Sequence, residues 1–347
     1  MKQLRPSLSL CLLLAAPAAA QSNLVLSGTA GTDDIRLEIG PGAGELRVFG
    51  AAGVPDGSLF LGVQEVRLDT GAEDDTVTLA GSLTATLRFD LLTGTGSDQV
   101  FSQFTIPATP GTDPIFAFVH VDAGSGDDEL IHQLVNQRNT FALDTRFVGG
   151  AGTDTLQLSM DASALTVDRQ AVFIDADPGT EADSVDVNVT SAATLALLQM
   201  STEASAESES VSAVWNQTRT GIVLTEFDLL SGSVSIDLLG QTSFFVPGGR
   251  ILGGVLDDNL SLNIGGVAVI LNLTLDGGFG QDSIELLCGR NLWGAPVLAG
   301  GLGDDALKLI VEGLQILDLG IPLIDGGPGI DLADAPNVIA TIINCEE

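Results

Sequence analysis

Along most of this chain apolar residues fall on every second position, in short runs that stop at clusters of glycine and aspartate. Leu156, Leu158 and Met160 alternate with polar residues, as do Val77 and Leu79, Val185, Val187 and Val189, and Ile284 and Leu286. The same alternation leads into several of the clusters, as with Val119 and Val121 or Leu271, Leu273 and Leu275. A period of two predicts strands that bury one face, and glycine clusters between them predict turns. Helical spacing is scarce. The segment 191–214 carries no cluster, and its composition suits a short helix or a protruding loop.

The clusters repeat. GGAGTD at 149–154 has full counterparts in GGFGQD (277–282), GGLGDD (300–305) and GGPGID (326–331). GTAGTD (28–33), TGTGSD (93–98) and AGSGDD (123–128) are near matches, and TGAEDD (70–75), PGTEAD (178–183) and GGVLDD (253–258) are weaker ones. Their final aspartates are Asp33, Asp75, Asp98, Asp128, Asp154, Asp183, Asp258, Asp282, Asp305 and Asp331, spaced by 42, 23, 30, 26, 29, 75, 24, 23 and 26 residues. The interval of 75 is close to three units, and that of 42 is one enlarged unit or two short ones. A unit of this size cannot bury its own apolar face, whereas units stacked coil on coil can. The expected fold is all-β: a parallel β-helix or β-solenoid with ~23–30-residue coils, forming one domain over 21–347. With parallel strands ~4.8 Å apart, ~12 coils would make a rod roughly 60 Å long. A leucine-rich repeat would need an asparagine at a fixed place, and a propeller needs about 40 residues or more per blade.

Composition adds the charge. The chain has 46 acidic and 13 basic residues, a formal charge of −33, yet 45% of its residues are hydrophobic. Its mean hydropathy is +0.35. That apolar content argues against disorder. The charge argues against nucleic acid and anionic lipid as partners, and it favours cations. Lys2 and Arg5, the apolar run from Leu8 to Ala16 and the A-x-A at 18–20 have the parts of a signal peptide (1–20), so an exported protein, extracellular, on the cell surface or periplasmic, is expected. No run is long enough for a membrane span. Removal of that segment leaves 11 − 46 = −35, with Lys308 the one remaining lysine. Cys288 and Cys345 are compatible with either a disulfide or free thiols; Cys288 falls on the apolar face.

In a solenoid the clusters would line one edge. Glycine serves corners that need positive φ, and aspartate favours turns, so each corner taken alone is ordinary turn chemistry. Ten stacked carboxylates are another matter. Unit charges about 5 Å apart repel by roughly 1 kcal/mol in water and severalfold more near protein. Calcium could relieve this, because it takes six to eight oxygens from carboxylates and carbonyls in flexible geometry. Zinc would want histidine or cysteine, and only His120 and His132 are present.

GGAGTDTLQ resembles the nonapeptide GGxGxDxUx of the repeats-in-toxin (hemolysin-type) calcium-binding proteins. The resemblance implies a parallel β-roll with calcium held between successive turns. Carried over, the ligands would be Asp33, Asp75, Asp98, Asp128, Asp154, Asp258, Asp282, Asp305 and Asp331. The carbonyls would come from Gly149, Gly150, Gly152, Gly277, Gly278, Gly280, Gly300, Gly301, Gly303, Gly326, Gly327 and Gly329. The motifs here are not in tandem, so each coil is longer and has room for a core. Calcium is then expected to stiffen the fold without being indispensable to it. A structural or adhesive role follows, with contacts to anionic polysaccharide or to further copies bridged by calcium. The alternative is a calcium-dependent β-helix enzyme acting on polysaccharide, of lyase, hydrolase or epimerase type, which an exposed cleft along a flat β-helix face, lined by lysine or arginine, would favour.

Overall fold

The computed structural model describes residues 22–346 apart from 109–113, 139, 164–168, 178, 193–194, 203–207, 218–219, 229–230, 240–242, 317–318 and 337. The expected signal peptide and Pro178 lie outside them. The chain winds into a parallel β-solenoid, with no α-helix among the described residues. Two sheets face each other, one of sixteen strands and one of fourteen. The main path of the first runs from Ser22–Ser27 to Thr341–Ile343. The second runs from the N-terminal end at Asp34–Ile39 to Leu332–Asp334. Each coil contributes a strand to each sheet, and strands of neighbouring coils pair in parallel.

Register explains the alternation seen in the sequence. In the second sheet one inward column reads Ile35, Val77, Val100, Leu130, Leu156, Val185, Val211, Val234, Leu260, Ile284 and Leu307, one residue per coil. All of them are buried. A one-residue slip in any coil would turn its whole apolar set outward, which holds the register. Each such side chain stabilises by about 1.5–3 kcal/mol. Aromatic residues meet inside the core: Phe89 stacks on Phe104 at 5.7 Å, and Trp215 meets Phe244 edge-on at 6.0 Å. Trp215 is therefore core.

The segment 191–214 is a correction. It contributes strands Leu195–Thr202 and Ser208–Gln217, paired in register with coils on both sides. Its alanines, leucines and glutamates favour a helix locally, but strand neighbours on either side and inward Leu198, Met200, Val211, Ala213 and Trp215 override that preference. The interval of 42 residues is one enlarged coil. Its extra length forms an antiparallel hairpin, Leu46–Phe49 and Ser58–Phe60, whose first strand pairs antiparallel with Asp34–Ile39. Leu46 and Val48 are fully buried there and close the N-terminal end of the core, a cap the sequence pattern did not announce. From Val267 onward three successive coils gain a third short strand, Val267–Ile270, Leu292–Gly294 and Gln315–Ile316. Ser243–Leu252 pairs with both Val267–Ile270 and Leu273–Phe279. Cys288 is buried and Cys345 partly exposed, and both thiols are free. Burial pushes the Cys288 thiol up to about 12.

Candidate metal centre

At each glycine–aspartate corner the chain leaves the first sheet and enters the second. Two demands meet there. The backbone must turn sharply while lying against the corner of the previous coil, and the amides at the bend fall outside the regular ladder. Glycine meets the first. Gly150 and Gly152 have φ of 103° and 127°. A Cβ on Gly150 would land on the carbonyl oxygen of Gly124, and one on Gly152 on that of Gly126. Glu73 stands where TGAEDD lacks its third glycine and adopts a φ of 74° instead.

Aspartate meets the second demand. The N–H of Asp128 donates to Oδ1 of Asp154 in the next coil at 2.9 Å, and that of Asp154 to Oδ1 of Asp183 at 2.7 Å. The same bond links Asp33 to Asp75, Asp75 to Asp98 and Asp98 to Asp128. It recurs from Asp258 to Asp282, Asp282 to Asp305 and Asp305 to Asp331. The residue after each aspartate returns a backbone bond, as Thr155 N–H does to the Asp128 carbonyl at 2.8 Å. The expected edge of aligned aspartates is therefore a ladder in two runs, Asp33 to Asp183 and Asp258 to Asp331, and its carboxylates are buried rather than facing solvent.

Two rungs had no motif. Strand register sets Glu209 beside Gly232, with Ser184 opposite Ser210 and Ser233 opposite Asn259. The interval of 75 thus holds Glu209 and Gly232 at steps of 26, 23 and 26 residues. Gly232 N–H donates to Asp258 Oδ1, as an aspartate would, but offers no carboxylate of its own. A second, outer row also escaped the motif reading. Asp74, Asp127, Asp257 and Asp304 accept the N–H of Ser97, Thr153, Gln281 and Ile330 in the following coil at 2.8–2.9 Å. The paired acids in TGAEDD, AGSGDD, GGVLDD and GGLGDD were the available signal.

The second oxygen of the inner carboxylates has different surroundings. Oδ2 of Asp75, Asp98, Asp128, Asp154, Asp183, Asp282, Asp305 and Asp331 is buried without a hydrogen-bond donor. A Cβ added to Gly277 would touch both Asp282 Oδ2 and the Gly300 carbonyl oxygen. One on Gly300 would touch Asp305 Oδ2 and the Gly326 oxygen, and one on Gly326 Asp331 Oδ2 and the Asn344 oxygen. The first motif glycine therefore leaves a cradle between a carboxylate oxygen that has no donor and a carbonyl of the next coil, of which that of Gly326 also accepts the Gly301 N–H at 3.2 Å. Elsewhere that position carries a side chain. Thr70 and Thr93 send their hydroxyls to the carbonyls of Thr93 and Ala123 at 2.9 and 3.0 Å, and Ala123 places a methyl there. Asp33 Oδ2 accepts the Thr29 N–H at 2.5 Å, and Asp258 Oδ2 the Gly254 N–H at 2.7 Å.

Burial also shifts the acids. Loss of water holds Asp154 up to about 7 and Asp128, Asp183 and Asp282 up to about 6; the backbone N–H bonds offset part of this, and neighbouring acids add to it. Asp98, Asp258 and Asp305 are raised for the same reason. An anion in this column needs a positive partner. The donor set is all hard oxygen, which fits calcium. Among the described residues no three His, Cys, Asp or Glu side chains gather as a ligand set, so most ligands would be carbonyls.

The other candidates go elsewhere. His132 is wholly buried, its Nδ1 2.8 Å from Ser102 Oγ, and burial lowers its pKa to about 4. Lys308 pairs with Glu285 at 2.8 Å on the outer face of the second sheet. No family model, curated protein or solved structure matches the chain, so function is read from its own residues.

Proposed function

We propose that this protein is a calcium-binding β-solenoid with a structural role, its ions held between successive coils at the aspartate ladder. The observation that carries this reading is the buried, donorless Oδ2 of Asp282, Asp305 and Asp331, each facing a carbonyl of the next coil across the space of a missing Cβ. Asp282, Asp305 and Asp331 would supply carboxylate oxygens, and Gly300, Gly326 and Asn344 the carbonyls. Asp154 and Gly149 have the same motif in the N-terminal half. Asp75, Asp98 and Asp128 are the poorer ligands, because Thr70, Thr93 and Ala123 fill the space beside them. A bound calcium would supply the positive charge that the ladder lacks in a chain of this acidity. Its work would be to lock coil to coil, which suits an exported or surface-exposed fibre-like element.

Asn in place of Asp separates this reading from plain corner chemistry. In Asp282→Asn with Asp305→Asn, the side-chain oxygen still accepts the ladder N–H. The new amide NH₂ donates to the carbonyl across the cradle, so the need for a cation disappears. In EDTA this double variant should melt no lower than the parent, and added calcium should raise its Tm less than the parent's. An equal calcium response in the two proteins would sink the assignment.

A further inference from the structure

The outward face of the first sheet carries a second constellation, brought together only by register. Arg67, Asp90, His120, Arg146 and Asp175 form one column, one residue per coil. Beside it run Glu65, Arg88, Phe118, Asp144 and Phe173. Three of the chain's few arginines thus share one patch. Arg88 Nε lies 2.8 Å from Asp90 Oδ2, and its Nη2 is 3.1 Å from His120 Nδ1. His120 Nδ1 also lies 3.5 Å from Asp90 Oδ1, and its Nε2 3.5 Å from Asp144 Oδ1. Phe116 and Phe118 stand nearly parallel at 6.2 Å, with His120 edge-on to Phe118.

We propose that this face binds an uncharged polysaccharide chain lying along the solenoid axis. Four points of chemistry lead there. The three arginines stand among the carboxylates Glu65, Asp90, Asp144 and Asp175, and the next outward column adds Asp69, Asp122 and Asp177, so an anionic chain is disfavoured. Arg–carboxylate pairs present donors and acceptors in one plane, which suits ligands rich in hydroxyls. The phenylalanines beside them offer apolar faces to C–H groups of a sugar ring. Finally, the rows repeat with the coils, ~4.8 Å apart, so the surface matches a polymer better than a compact molecule. Arg67 and Arg146 meet their carboxylates through Nε, which leaves their Nη groups for the ligand. This binding needs no calcium and is independent of the ladder.

The test is migration in native gels cast with hydroxyethylcellulose, dextran or alginate. We expect retardation by an uncharged polymer, the same in EDTA, reduced at least severalfold by Arg88→Ala and by Phe118→Ala, and kept by Lys308→Ala on the opposite sheet. Arg67→Ala, with a side chain 62% exposed, serves as the third variant should either of the first two misfold. Exposed ion pairs contribute little to stability, so folding of that variant is expected. No retardation by hydroxyethylcellulose or dextran overturns the proposal. So does retardation that the face variants retain, or retardation by alginate alone in the presence of calcium.

Discussion

An aspartate such as Asp154 is asked to do two things with its two oxygens. Oδ1 closes the backbone ladder where the chain bends, and Oδ2 is left buried without a hydrogen-bond donor. Its proton is held up to about 7, against 3.8 for an ordinary aspartate, with Asp128, Asp183 and Asp282 up to about 6. A carboxyl that holds its proton more tightly folded than unfolded stabilises the fold fully below the unfolded pKa. That contribution is lost as pH rises through the folded value. Without divalent ions the protein should therefore be more stable near pH 4 than near pH 8, with most of the loss between about 4 and 7. Calcium, taking the proton's place, should flatten the upper part of that profile. Calorimetric melts in EDTA that show no fall over this range would contradict a buried, metal-free ladder.

At the scale of the corner, glycines differ by what stacks on them. Gly152 combines positive φ with a carbonyl where its Cβ would go, so Gly152→Ala should cost about 3 kcal/mol or more. Gly31 has nothing within 4 Å of its added Cβ, and Gly31→Ala should stay within about 0.5 kcal/mol. Urea unfolding of both variants checks the pair, and equal losses would refute the stacking argument. The motif was legible in the sequence because every corner solves one problem with the same residues. Glu209 and Gly232 were not, since their place on the ladder exists only once strands are in register. The strands in 191–214 hid behind local helix preference. The hairpin cap hid because two short antiparallel strands add no motif to the repeat. The arginine and phenylalanine face was invisible for the same reason as Glu209: its members lie one coil apart in sequence and meet only across strands.

Taken whole, the solenoid has a core that runs its full length beside the ladder, with inward columns of valine, leucine and isoleucine in both sheets. Calcium should then raise stability without deciding whether the chain folds. Far-ultraviolet circular dichroism in EDTA is expected to retain the strand signal, and an unstructured chain there would contradict this. The two ends differ as well. The hairpin covers the N-terminal coil, while Ile339, Ile342 and Ile343 are exposed at the other end. Deleting 42–61 should uncover Ile35 and Leu37 and promote self-association, measurable by light scattering; a monomeric deletion variant would argue against a capping role. The claim on which the rest depends is that calcium lies between coils against the ladder's second oxygens. Anomalous diffraction from crystals grown with calcium tests it most directly. Peaks beside Asp282, Asp305 and Asp331, with none beside Asp75, Asp98 and Asp128, are the predicted result. An empty ladder, or ions only at the outer row of Asp74, Asp127, Asp257 and Asp304, would contradict it.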